Sequence, residues 1–171
     1  MNRIYLIGFM GVGKSTIGKK LAYKLGYDFI DTDELFESKY KVSIHTFFEK
    51  YGEELFRELE NKIIIDTFNL RNTVISTGGG SPCYNNTIEE INKSGGLSIY
   101  LWMPAEALVQ RLENAIRPRP LILGKKHDEI KAEVERILSE REIYYNKAGF
   151  VYDAISPDYD KLIMLIESHK Q

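Results

Sequence analysis

One stretch near the start limits what this chain can fold into more than any other: Ile4-Tyr5-Leu6-Ile7-Gly8-Phe9-Met10-Gly11-Val12-Gly13-Lys14-Ser15-Thr16. A short apolar run feeds a glycine-rich loop, and the loop opens into a helical pattern. Gly8, Gly13, Lys14 and Ser15 fit the phosphate-loop template of a glycine, four residues, then Gly-Lys-Ser/Thr. The glycines let backbone N–H groups turn inward around phosphate oxygens with no side chain in the way. The helix that follows aims the positive end of its dipole at the same anion. Lys14 has the reach for the outer phosphates, and the hydroxyl of Ser15 suits Mg²⁺, a hard cation that prefers oxygen. A turn that served only as a connector would not need this spacing together with a strand before it and a helix after it.

The rest of the chain continues that alternation. Ile4 to Ile7 is too evenly apolar for a half-exposed strand and reads as a fully buried one. Ile17, Leu21 and Leu25 recur at four-residue steps through the first helix, and Gly26 closes it. Tyr27 to Asp31 is a second strand, ending in Asp31-Thr32-Asp33 and a helix to about Lys39. Strand, helix, strand around a glycine turn is the signature of a parallel sheet. Ser43 is placed to cap a stretch holding Ile44, Phe47 and Phe48, which Gly52 interrupts before a longer helix with Phe56, Leu59 and Ile63 on one face. Thr73 to Ser76 is a third strand and runs into Thr77-Gly78-Gly79-Gly80. Asn85 to Ser94 reads as helix, Leu97 to Trp102 as a fourth strand, and Pro104 opens the next helix. Periodicity fails from Ile116 to Asp128, where Arg117-Pro118-Arg119-Pro120 cannot be helix interior. Helix resumes near Asp128, a fifth strand spans Phe150 to Ile155, and a helix with Leu162, Leu165 and Ile166 follows.

Composition excludes more than it assigns. A chain of 171 residues, 43% hydrophobic and 28% charged, has the makings of one α/β domain with a real core. A net charge of −2 gives no case for nucleic acid or an anionic membrane surface. No apolar run approaches the roughly 20 residues of a membrane span. With Met1 leading straight into the first strand, no signal peptide is expected. The single cysteine, Cys83, rules out an internal disulfide and fits a reducing, cytoplasmic setting. It has no neighbouring pattern that would make it a nucleophile.

Ligands of parallel α/β sheets bind beyond the carboxyl ends of the strands. Three groups fall there: the glycine loop after the first strand, Asp31 and Asp33 after the second, and the triple glycine after the third. Asp31 and Asp33 are equally suited to capping a helix, to holding Mg²⁺ through water, and to accepting a proton from an acceptor hydroxyl. Three consecutive glycines lose so much entropy on ordering that a close approach to the backbone is expected. Arg57 lies between Glu53 and Glu60 and could simply form helix ion pairs. Arg111, Arg117, Arg119 and Arg141 flank or occupy the irregular segment. They are either solvated charges or the cations that a transferring phosphoryl group requires. Bidentate arginine also suits a substrate carboxylate. His45, His127 and His169 share no metal spacing.

Taken in order, Gly8 to Thr16, Asp31-Thr32-Asp33, Gly52-Glu53 with Phe56-Arg57 and Glu60, and Gly78-Gly79-Gly80 resemble the shikimate kinase family over essentially the whole chain. Arg119-Pro120-Leu121 and Glu140-Arg141 with Tyr144 resemble further motifs of that family. The resemblance implies a three-layer α/β/α fold like that of nucleoside monophosphate kinases, with five parallel strands ordered 2-3-1-4-5. It implies a lid at about 112–128, a substrate-binding helical region at about 33–62, and a monomer. The reaction implied is ATP-dependent phosphorylation of the 3-hydroxyl of shikimate, on the way to aromatic amino acids. Position by position, Gly11, Val12, Gly13, Lys14, Ser15 and Thr16 would hold ATP, with Arg111 against the adenine. Ser15 would bind Mg²⁺, with Asp31 assisting through water. Asp33, Arg57, Gly79, Gly80 and Arg141 would hold shikimate, and Lys14, Asp33 and Arg119 would act on the transferring group. The chain departs from the family pattern in an extra Arg-Pro, which lets Arg117 and Arg119 trade roles, and in Ser81-Pro82-Cys83 after the glycines. Another small-molecule kinase of this fold, for gluconate or a nucleoside monophosphate, and a nucleotide-binding module without turnover are the rival readings.

Overall fold

The computed structural model describes residues 3–115 and 122–169. Its centre is a parallel sheet of five strands, β1 (Arg3–Ile7), β2 (Asp28–Asp31), β3 (Thr73–Ser76), β4 (Leu97–Trp102) and β5 (Phe150–Asp153), in the order β2-β3-β1-β4-β5. The expected fold class and strand order are both found. Burial follows position in the sheet. β1 and β3 are buried along their whole length, whereas the edge strands β2 and β5 are mostly half-exposed or exposed. A strand covered on both faces has no use for alternation, which is why β1 reads as an unbroken apolar run.

Seven α-helices occur among the described residues: α1 (Lys14–Leu25), α2 (Thr32–Tyr40), α3 (Ile44–Asp66), α4 (Thr87–Lys93), α5 (Ala105–Glu113), α6 (His127–Tyr145) and α7 (Tyr159–Ser168). α1 starts after Gly13 and ends at Gly26, both left-handed. α3 is bent at Gly52 (φ 82°, ψ 170°), where the sequence pattern breaks. On either side of the bend Phe36, Phe47, Phe56 and Ile63 form a small core of their own beneath α2 and α3. The main core lies between the sheet and α1, α5, α6 and α7, with Leu6, Leu21, Leu108, Val134 and Leu162 at its centre. Among the described residues no helix is long and apolar enough to cross a membrane.

Some expected boundaries move, for local reasons. α4 starts at Thr87 and not Asn85, because Asn85 and Asn86 are both left-handed (φ 50° and 54°) and turn the chain before the helix can form. α6 starts one residue ahead of the expected cap Asp128; its first turn is held by Glu129, whose carboxylate accepts from the Lys126 N–H at 2.7 Å. β5 stops at Asp153, whose side chain accepts from the Ile155 N–H at 2.9 Å and bends the chain away. Arg117 and Arg119, with the proline-rich centre of the expected lid, lie outside the described residues.

Register sets the site. Asp31 pairs opposite Ser76, and Ser76 opposite Leu6, so β2, β3 and β1 end level with one another. From β1 the chain passes to β2 and β3 on one side and later to β4 and β5 on the other. The crevice at such a reversal, past the carboxyl ends of the strands, is where this class of sheet binds ligands.

Candidate active site

The loop after β1 wraps a cleft of about 310 Å³ lined by Gly11, Gly13, Lys14, Ser15, Thr16, Asp31, Asp33, Thr77 and Gly79, with Met10 and Ser76. Sequence reasoning therefore places most of its phosphate-side residues in one space. Val12 is fully buried, and its carbonyl accepts from Arg111 Nη1 at 2.9 Å, while Arg111 Nη2 reaches the carbonyl of Ile155 at 3.5 Å. Arg111 thus ties the loop to the segment after β5, at the edge of the cleft. Lys14 is 9% exposed, and its ammonium donates to the loop's own carbonyls, Gly8 at 2.8 Å and Phe9 at 2.9 Å. These contacts keep the buried charge satisfied.

Asp31 does two things at once. Its Oδ1 accepts from the N–H groups of Asp33 (3.0 Å) and Glu34 (3.4 Å) and so caps α2. Its Oδ2 accepts from the Ser15 hydroxyl at 2.6 Å. A hydroxyl and a carboxylate this close are oxygen donors of the kind a hard cation such as Mg²⁺ accepts. Among the described residues no group of three or more His, Cys, Asp and Glu could hold a metal alone. Asp33, two residues on, faces the same cleft from the first turn of α2.

Arg57, Gly80 and Arg141 do not line that cleft; they gather around the triple glycine on its far side. Arg57, on α3, donates from Nη2 to Glu53 Oε1 at 3.0 Å and from Nη1 to Glu60 Oε2 at 2.8 Å, so the expected ion pairs exist. The guanidinium also lies over the Tyr84 ring, 4.3 Å from its centroid. Burial alone would depress the Arg57 guanidinium, but the Glu60 and Glu53 carboxylates overcome that and hold it above its ordinary value. This is no solvated surface pair: the Arg57 and Glu60 side chains are 12% and 6% exposed. A Cβ on Gly80 would lie 2.7 Å from Arg57 Nη2, and one on Gly79 would lie 3.6 Å from Arg141 Nη1. Among the described residues Arg141 Nη1 is a buried donor with no hydrogen-bond partner, beside a cleft. A buried donor left that way costs free energy until an acceptor arrives.

Of the residues that build this side, Tyr145 was not singled out from the sequence, and Glu60, Gly78 and Ser81 were named there without the contacts they make with one another. Glu60 is 5% exposed and holds Arg57 on one oxygen and the Ser81 hydroxyl on the other. Gly78 leaves room for that meeting. Tyr145, fully buried, donates its hydroxyl to the Gly79 carbonyl, and burial pushes its phenol well above the usual range. The nearby Tyr144 lines a second cavity together with Arg141, Glu53, Tyr84, Arg136 and Glu140. One signal was available: Arg57 and Glu60 are three apart, and Arg141 and Tyr145 four apart, so each pair shares a helix face. Cys83 is half-buried, and burial pushes its thiol up to about 11 despite Arg141 and Arg57 nearby, which makes it a poor nucleophile.

Comparison with known proteins gives a consistent result. The family model described as shikimate kinase matches residues 10–163. A shikimate kinase of Azobacteroides pseudotrichonymphae is 47% identical over 153 residues, 89% of this chain and 89% of that protein. The solved shikimate kinase of Bacteroides thetaiotaomicron superposes with a TM-score of 0.92 at 34% identity, over 96% of this chain and 98% of that one. The Acinetobacter baumannii shikimate kinase, solved in complex with shikimate, gives a TM-score of 0.86 at 30% identity, over 98% of this chain and 94% of that one.

Proposed function

The chain belongs to the shikimate kinase family and is a kinase acting on shikimate, and we propose that it transfers the γ-phosphoryl group of ATP to the 3-hydroxyl of that acceptor. What carries this reading is the placement of Lys14, Ser15, Asp31 and Asp33 around one cleft. The cleft shares Gly79 with the cluster of Arg57, Gly80 and Arg141.

The backbone of Gly11 to Thr16 and the start of α1 take the β- and γ-phosphates. Ser15 and Asp31 are the residues that would hold Mg²⁺, which when bound neutralises charge on the bridging phosphates. Arg57 and the unpartnered Arg141 donor take the acceptor's carboxylate, with Gly79 and Gly80 allowing it close to the backbone. Asp33 orients the acceptor hydroxyl. As its oxygen bonds to the γ-phosphorus, the bond to the β–γ bridging oxygen breaks and the hydroxyl proton passes to Asp33. Lys14 leaves the Gly8 and Phe9 carbonyls to follow the transferring group. Arg119, or Arg117 in its stead, would join it from a lid at about 112–128, with the substrate-binding region at about 33–62 in the same single domain. Arg111 supports the adenine side. The residues assigned to donor and acceptor come from one chain, so a monomer suffices, and the lone cysteine fits a reducing cytoplasm.

The test is ADP release from ATP and Mg²⁺ with shikimate, gluconate and nucleoside monophosphates supplied separately. Turnover with shikimate alone is expected. Turnover with gluconate or a nucleotide instead would make this a different kinase of the same fold, and ATP binding without turnover would make it a regulatory module.

A further inference from the structure

The Glu60 carboxylate is buried, and a buried carboxylate is tolerated only when its oxygens are paired. Oε2 accepts from Arg57 at 2.8 Å. Oε1 accepts from the hydroxyl of Ser81, itself 1% exposed. The meeting is built with little slack. A Cβ on Gly78 would lie 2.7 Å from Glu60 Oε1, 2.7 Å from Ser81 Oγ and 2.8 Å from Asp33 Oδ1. Ser81 is placed by a short 3-10 turn, Ser81–Cys83, with Pro82 inside it and the Ser81 N–H donating to the Gly78 carbonyl at 3.2 Å. Arg57 then has its guanidinium fixed against Gly80 and over Tyr84.

We infer that Ser81 is a positioning residue for the acceptor: through Glu60 it sets where the Arg57 guanidinium points, and so how tightly an acceptor carboxylate is held. This rests on the reading that Arg57 takes that carboxylate. Ser81 itself lines neither the phosphate-side cleft nor the cavity beside Arg141. Its hydroxyl donates to a charged acceptor, the stronger class of hydrogen bond. Without it Glu60 Oε1 is left unpaired in a buried place, and the carboxylate turns toward another donor and draws Arg57 with it.

The experiment is steady-state kinetics on Ser81→Ala, Arg57→Ala and the double variant, with shikimate and ATP varied in turn. Arg57→Ala is expected to raise KM for shikimate roughly 10- to 100-fold and leave KM for ATP within about twofold. Ser81→Ala is expected to raise KM for shikimate by about three- to tenfold, with kcat and KM for ATP within about twofold. In the Arg57→Ala background, Ser81→Ala should change nothing further, which a merely structural role would not reproduce. Ser81→Cys, which keeps the size and a weak S–H donor, should fall between wild type and alanine, and it carries the test if the alanine variant does not fold. An Arg57 effect with no Ser81 effect overturns the inference alone. So does additivity in the double variant, or equal losses for shikimate and ATP. No shikimate-specific effect of Arg57→Ala overturns the placement of the carboxylate itself.

Discussion

In the loop after β1, Gly8, Gly11 and Gly13 have φ of 139°, 83° and 98°, whereas none of Gly78, Gly79 and Gly80 has a positive φ. Gly80 sits at φ −91°, ψ −19°, where any residue is comfortable. The donor loop therefore needs glycine for its backbone, and at Gly8 for the missing Cβ as well, whereas the acceptor turn needs glycine for the missing Cβ alone. In the first case the main chain itself becomes the ligand, curling N–H groups around an anion. In the second the main chain steps aside so that charged side chains, the buried Glu60 and the half-buried Asp33 and Arg57, can pack against it. A donor site made of backbone suits a phosphate chain common to many enzymes. An acceptor site made of side chains from several elements is where selectivity resides.

The sharpest way to break this comparison is to add the same methyl group to both turns. At Gly8 alanine would hold φ 139° and bring its Cβ 2.6 Å from the Leu101 carbonyl oxygen, part of β4 and unable to yield. A loss of roughly 3 kcal/mol or more in urea unfolding is expected, with ATP binding lost too. At Gly80 the same methyl meets Arg57 Nη2 at 2.7 Å, the far end of a side chain. Stability should then fall by no more than about 1 kcal/mol, while KM for shikimate rises roughly tenfold and KM for ATP stays put. If Gly8→Ala proves mild, the donor loop depends neither on the backbone conformation of Gly8 nor on its close approach to β4. If Gly80→Ala weakens ATP and shikimate alike, the two turns are not separate devices.

The same contrast explains what the sequence discloses. The donor loop is contiguous, Gly8 to Thr16, and its geometry follows from local spacing, so strand, loop and helix were all legible there. So was the sheet, because β1 and β4 are mostly apolar and β3 has a β-branched Thr-Val-Ile core, all in a strand-helix alternation. The acceptor side draws on α2, α3, the 3-10 turn and α6, and only folding brings these together. Glu60 and Ser81 are 21 residues apart, Gly79 and Tyr145 66 apart. No local pattern reports such a pairing. The Ser81-Pro82-Cys83 segment reads in sequence as a departure from the family, yet it supplies the hydroxyl that meets Glu60. Triple glycine read as a sign of close approach by a ligand; part of what approaches is the protein's own charged side chains.

Asp31 sits where the two devices adjoin, and it offers the finest test. One oxygen caps α2 through the Asp33 and Glu34 N–H groups, and the other takes the Ser15 hydroxyl at 2.6 Å. Asparagine caps a helix about as well as aspartate, so Asp31→Asn should keep the first of these roles. Its amide presents N–H where the carboxylate accepted, and its negative charge is gone, so the second role fails. Thermal unfolding should therefore move by less than about 3 °C. The Mg²⁺ concentration for half-maximal turnover should rise several-fold, while KM for shikimate stays nearly constant. An unchanged Mg²⁺ requirement would reduce Asp31 to a helix cap, leaving Ser15 as the protein's direct contact with the metal. A rise in KM for shikimate in place of the Mg²⁺ effect would show that the cap of α2, by placing Asp33, is the element through which donor and acceptor sides are coupled.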